Sequence, residues 1–269
     1  MQDKIRVGAF ISGGGSNLQA IIDACESGGI NGKMVFVGTD NPRAKGLARA
    51  ERHSIPRFIV DYGSIIRRYR QNTRDISIPE DFDPEDVRAK QHLFHADADP
   101  ARVDGFLRTR ASAEAALLHE MDAYPFDLLV LAGFMRNLTP YFIDRVNTDP
   151  DHPRIMNIHP ALLPAFPGVD GYGDTYRYGC KVGGCTVHFI DYGEDSGPII
   201  GQRPFPIEEG ESLDAVREKG LKEEWKLYPE CIRLFSEGRL KLVRRDFSDQ
   251  GPSGPNSTPR ERVHVQVLN

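Results

Sequence analysis

Ile5-Arg6-Val7-Gly8-Ala9-Phe10-Ile11-Ser12-Gly13-Gly14-Gly15-Ser16-Asn17-Leu18 decides the fold of this chain. A mostly apolar run of strand length stops at a Ser/Gly turn. Apolar residues then return at Leu18, Ile21 and Ile22 with helical spacing, so the stretch reads as strand, tight turn, helix. The alternation continues outward. Met34–Gly38 is a second strand, Gly46–Arg52 a second short helix and Arg57–Val60 a third strand. Ala111–Met121 is an Ala/Leu-rich helix, and the apolar run within Phe126–Ala132 suits the middle of a sheet. Strands alternating with helices predict an α/β fold with a doubly wound, mostly parallel sheet, Rossmann-like in its N-terminal half.

The second half changes character. Ile155–Ile158 is a strand that runs into a Pro-rich loop. Gly184–Ile190 and Ile199–Pro206 read as two later strands, antiparallel, and Ser212 caps a long helix reaching Glu237. The expected organisation is one catalytic domain over 1–246 with a charged insertion at about 61–110. That insertion is dense in Arg, Asp and Glu, is broken by Pro79, Pro84 and Pro100, and is read as one or two surface helices serving as solvated decoration. From Phe247 to the end, Pro, Ser, Gly and Asn dominate, which predicts a flexible C-terminal tail over 247–269.

Composition narrows the class. With 27% charged residues and a net charge of −5, the chain has no global attraction to nucleic acid. No apolar run reaches membrane-span length, and the first strand starts at Ile5 without a charged-then-apolar leader, so a cytoplasmic protein is expected. Cys25, Cys180, Cys185 and Cys231 form no C-x-x-C pair and read as reduced structural residues. His92 and His95 have an H-x-x-H spacing but lack nearby Cys or a helix-spaced Glu, so no metal site is expected.

The chemistry gathers at Asn157-Ile158-His159-Pro160-Ala161-Leu162-Leu163-Pro164. In an extended segment Asn157 and His159 point to the same side. Asp195 follows in the turn-like run Tyr192-Gly193-Glu194-Asp195-Ser196-Gly197-Pro198. An amide, an imidazole and a carboxylate can steady an oxyanion and move a proton without a covalent intermediate. His188, on an apolar strand, is read either as a neighbour of that site or as a buried structural histidine. The glycine run is neither G-x-G-x-x-G nor a P-loop. It suits either an anion held by backbone N–H groups at the helix start or a plain strand-to-helix turn capped by Ser or Asn.

Asn157 to Pro164, followed by Glu194-Asp195-Ser196-Gly197-Pro198-Ile199-Ile200, resembles the catalytic signature of the folate-dependent formyltransferases. Ile11 to Ile21 and Leu131-Ala132-Gly133-Phe134-Met135-Arg136 resemble the branch of that family whose acceptor is glycinamide ribonucleotide, in purine biosynthesis. The resemblance implies the formyltransferase fold, with Asn157, His159 and Asp195 as catalytic residues. It implies ribonucleotide contacts at Gly14, Gly15, Ser16, Asn17, Pro160 and Glu224. Folate contacts are implied at Phe134, Met135, Arg136, Asn137, Leu138, Asp191 and Glu194. It further implies 10-formyltetrahydrofolate as co-substrate, no metal, and small-molecule partners without nucleic acid or membrane, and it admits a homodimer. Two positions and one segment depart from the family pattern. Asn137 replaces an apolar residue, Trp225 a common His, and Val169–Tyr176 a His-rich loop.

Three other readings share some of these features. A methionyl-tRNA formyltransferase would need a basic C-terminal RNA-binding domain, for which the segment after Arg239 is short. A formyltetrahydrofolate deformylase would carry a regulatory domain ahead of the first strand. A nucleotide-binding module without turnover would keep the glycine turn but has no use for the catalytic trio.

Overall fold

A computed structural model describes residues 3–72, 75–95, 97–246 and 261–269. The strands of the main sheet are β1 (Ile5–Ile11), β2 (Gly32–Thr39), β3 (Arg57–Ile59), β4 (Leu128–Leu131), β5 (Ile155–His159), β6 (Val182–Phe189) and β7 (Ile199–Pro206). Their order is β3-β2-β1-β4-β5-β6-β7. Pairing is parallel from β3 through to β5 and antiparallel for β6 and β7. The doubly wound sheet with an antiparallel C-terminal part is therefore present as read.

Strand alternation divides the core. Val7, Ala9 and Ile11 of β1 face one side, where they meet Leu18, Ile21 and Ile22 of α1 (Ser16–Glu26) and Leu227, Tyr228 and Cys231 of α8 (Leu213–Ser236). Phe10 faces the other side and packs with Phe36, Phe58, Phe134 and Phe142. Burying a phenylalanine completely stabilises a fold by about 1.5–3 kcal/mol, so this aromatic layer anchors the β1–β2–β4 centre. α8 starts where Ser212 Oγ accepts from Ala215 N at 3.2 Å, the expected cap.

β1 pairs with β2 on one side and β4 on the other, so the winding reverses between β1 and β4. In open α/β sheets a crevice forms at the carboxyl ends of the strands at such a switch point. The loops after β1, β4 and β5 all leave the sheet there.

Two expectations are corrected. The inserted segment is not decoration. It forms α3 (Tyr62–Gln71), α4 (Pro84–Lys90) and the first half of α5 (Pro100–Met121), a helix that starts well before Ala111. Tyr62, Ile65 and Ile76 belong to the aromatic core, and Val87, Val103 and Leu107 form a satellite core with Tyr141 of α6 (Pro140–Val146). The second correction concerns the C-terminus. Residues 247–260 lie outside the described residues, but Glu261–Val267 is not a flexible tail. It forms β9, which pairs antiparallel with β8 (Leu240–Asp246), and Leu240, Leu242 and Val265 pack on the main core. The remaining helices are α2 (Leu47–Arg52) and α7 (Gly171–Arg177). Among the described residues no helix is long and apolar enough to cross a membrane.

Candidate active site

The crevice at the switch point is a cavity of about 410 Å³. Every residue the sequence reading singled out for catalysis, ribonucleotide or folate lines it: Gly14 to Asn17, Phe134 to Leu138, Asn157, His159, Pro160, Asp191, Glu194, Asp195 and Glu224.

Three chain segments converge on one carboxylate. Asp195 Oδ2 lies 3.0 Å from His159 Nδ1 and accepts from Gly168 N at 2.8 Å. Asp195 Oδ1 accepts from Asn157 Nδ2 at 3.4 Å and sits 3.6 Å from His188 Nε2. The other nitrogen of His159 donates to Phe166 O at 2.7 Å. Both ring nitrogens of His159 thus face acceptors, an arrangement that suits the imidazolium. His159 is only 2% exposed, and burial opposes its charge. Burial is outweighed by the hydrogen bond and charge of Asp195 together with the Phe166 carbonyl, and the histidine is raised above its usual range. Burial likewise opposes charge on Asp195, yet the hydrogen bond and charge of His159, with the Gly168 N–H, hold it well below the usual carboxylate range. His188 is fully buried, with Nδ1 on Phe189 O at 2.8 Å and Nε2 3.3 Å from the Asn157 amide. It is therefore both a structural residue and a neighbour of the site.

The glycine turn opens α1 without a side-chain cap, and Gly15 adopts φ 68°. Gly13 O accepts from Gly46 N at 2.9 Å and Gly14 O from Arg49 Nε at 2.9 Å, which fix the turn from behind. Gly14 to Asn17 line the cavity at the positive end of the helix, where the first N–H groups have no partner within the helix. A carboxylate stands beside it: Glu224 accepts from Asn17 Nδ2 at 2.6 Å and Tyr172 OH at 2.7 Å. Burial raises Glu224 above its usual range, against those two donors.

The wall after β4 is held from below. Asp40, buried at the end of β2, accepts from Ser12 Oγ and Arg136 Nε, and Ser12 Oγ accepts from Met135 N at 2.8 Å. Phe134 and Leu138 are buried, while Met135 is 59% exposed and forms an apolar rim. Asn137 Nδ2 reaches Glu194 Oε1 at 3.3 Å across the mouth. Asp191 accepts from Gly193 N and Ser196 Oγ and so shapes its own loop.

The sequence reading missed several contributors. Asp40 was detectable, as a polar residue at the end of a parallel strand next to the switch point. Tyr172, Arg217 and the backbone of Phe166 and Gly168 carried no signal, because chain folding alone brings them to the cavity. Among the described residues no group of His, Cys, Asp and Glu is arranged to hold a metal ion. The four cysteines are unpaired.

The fold and this crevice place the chain among α/β transferases, and comparison with known proteins makes the assignment specific. The formyl transferase family model matches residues 5–232, and the chain belongs to that family. It is 33% identical over 233 residues to the phosphoribosylglycinamide formyltransferase of Escherichia coli, covering 87% of this chain and 88% of that one. The enzyme of the same name from Bacillus subtilis is 31% identical over 224 residues, covering 83% and 91%. The crystal structure of glycinamide ribonucleotide transformylase 1 from Symbiobacterium toebii superposes with a TM-score of 0.67 at 34% identity, covering 99% of this chain and 95% of that one.

Proposed function

We propose that this chain transfers a formyl group from 10-formyltetrahydrofolate to the amine of glycinamide ribonucleotide, a step of purine biosynthesis. The observation that carries the reading is the meeting of Asn157, His159 and Asp195 in the same cavity as an uncapped helix start. The phosphate of the ribonucleotide belongs at Gly14 to Asn17, where a dianion gains from free N–H groups and the helix dipole. The folate ring belongs between Phe134 to Leu138 and the loop bearing Asp191 and Glu194.

The amine attacks the formyl carbon and needs no nucleophilic side chain. The tetrahedral centre carries a negative oxygen, which Asn157 and protonated His159 can stabilise. In the structure the His159 Nε2 proton is engaged with Phe166 O, so this role requires the substrate oxygen to replace that carbonyl. The attacking nitrogen loses a proton and the folate nitrogen gains one as its bond to the formyl carbon breaks. Asp195 keeps His159 charged and is placed to order a water for that transfer.

Absorbance at the folate chromophore, followed with and without glycinamide ribonucleotide, tests the reading. Release that requires the ribonucleotide, with formylated ribonucleotide formed in equal amount, is expected. Release that is independent of it would make the chain a formyltetrahydrofolate hydrolase.

A further inference from the structure

A polar chain outside the cleft joins the inserted segment to the loop that carries Asp195. Lys90, the last residue of α4, places Nζ 2.8 Å from Asp86 Oδ2 and 2.9 Å from Asp144 Oδ2 on α6. The other oxygen of Asp144 accepts from Tyr192 OH at 2.5 Å. Just beyond α4, His92 N donates to Tyr192 O at 2.9 Å. Tyr192 is therefore gripped at its backbone and at its phenol, and its ring packs against the aromatic core.

The loop needs outside support. It leaves the sheet after Phe189 and rejoins at Ile199, where the β6–β7 register is irregular. Asp195 sits at φ 51°, a left-handed conformation that costs energy in any residue with a Cβ and persists only where surroundings impose it. Asp191 and Glu194 ride on the same loop, whereas Lys90, Asp144 and Tyr192 do not line the cavity.

We propose that the inserted segment is a strut for the reaction site. Lys90 orients Asp144, Asp144 orients Tyr192, and Tyr192 together with the His92 main chain fixes the loop that presents Asp191, Glu194 and Asp195. All three side chains are positioning residues. Partly exposed ion pairs add little to global stability, so the strut acts on local geometry. Its kinetic consequences rest on the formyl-transfer reading; the strut itself does not.

Amide hydrogen exchange and steady-state kinetics on Tyr192→Phe, Lys90→Met, Lys90→Arg and the Tyr192→Phe/Lys90→Met double variant test it. Exchange across 189–198 should quicken in the first two, with β1 and α1 unchanged. Because small misplacements in an active site are costly, kcat should fall and the KM for formyl-folate rise, each about threefold to tenfold. The KM for the ribonucleotide should stay within about twofold, since its phosphate site is built on α1. Lys90→Arg should restore wild-type behaviour. The double variant should be no worse than the more severe single one, because both act through Asp144. Unchanged exchange across 189–198 in both single variants would overturn the strut. A wild-type chain without ribonucleotide-dependent transfer would overturn the function while the exchange data still decided the strut.

Discussion

His159 and Asp195 form a charged pair inside a nearly closed site, and their charges depend on each other. Asn157→Ala or His159→Asn should each lower turnover by about 10²–10³, the usual loss when one oxyanion donor is removed. Single-turnover kinetics on folded variants checks this. Stability should follow the pair as well. His159 is raised from 6.5, so its contribution is complete below that pH and is lost as pH rises through the folded value. Asp195 is lowered from 3.8, so its contribution is complete above that pH and is lost on acidification. The wild-type advantage over Asp195→Asn in urea unfolding should therefore be greatest between pH 3.8 and 6.5 and shrink on either side. With the carboxylate gone, burial dominates. In the same variant an NMR titration should find His159 below its ordinary range. A histidine still raised in that variant would mean that Asp195 is not what keeps it charged.

At the scale of elements, α5 controls the wall after β4 through one buried acid. Glu114 accepts from Thr139 N at 2.8 Å and Thr139 Oγ1 at 2.5 Å, and so fixes the start of α6 just beyond Leu138. Burial pushes its carboxyl up to about 7, against the two Thr139 donors. Between pH 4.5 and about 7 the unfolded chain ionises this group while the folded chain keeps its proton, so folding is increasingly penalised as pH rises. By the upper end the penalty is about 3 kcal/mol. Glu114→Gln removes it, so the stability of the variant relative to wild type should climb across that range; urea unfolding at pH 5 and pH 8 reads the difference. A constant difference would mean that Glu114 is ionised in the fold throughout. The start of α5 also shows why the insertion was misread. Charged residues and prolines give the insertion the composition of solvated surface helices; helices do form there, yet Tyr62, Ile65, Val87 and Leu107 pack into the cores.

Across the whole molecule, a separate two-stranded ribbon from the far end of the chain packs on the main core. The two ends of that ribbon meet closely: Leu268 N donates to Arg239 O at 2.8 Å, and Arg239 Nε donates to Leu268 O at 2.6 Å. Truncation after Asp246 strips β9 from β8 and removes Val265 from the main core. It should destabilise the chain by about 2 kcal/mol, on the scale of one or two partly buried aliphatic side chains. Turnover should survive, because the catalytic trio stands on β5 and the loop after β6. Thermal unfolding beside kcat separates the two effects, and loss of turnover in a folded truncation would tie the ribbon to the site. Strand β9 was legible as well. Val263, Val265 and Val267 alternate with polar residues, but the Pro/Ser/Gly composition before them was extended over them.

Local order was written in the chain. Periodicity set the strands and helices of the first half, the glycine turn set the start of α1, and Asn157 and His159 share a face because a strand repeats every second residue. Family resemblance added the names of the residues that line the crevice. Tertiary structure decided the rest. It alone brings Glu224 of α8 to Asn17 of α1, Asp40 just past β2 to Arg136, and Lys90 of the insertion toward Tyr192. Those contacts join residues distant in sequence, and no local pattern encodes them. The first two exist because the sheet reverses its winding between β1 and β4 and draws the loops of many elements into one crevice, the third because α4 packs against α6 beside the loop after β6.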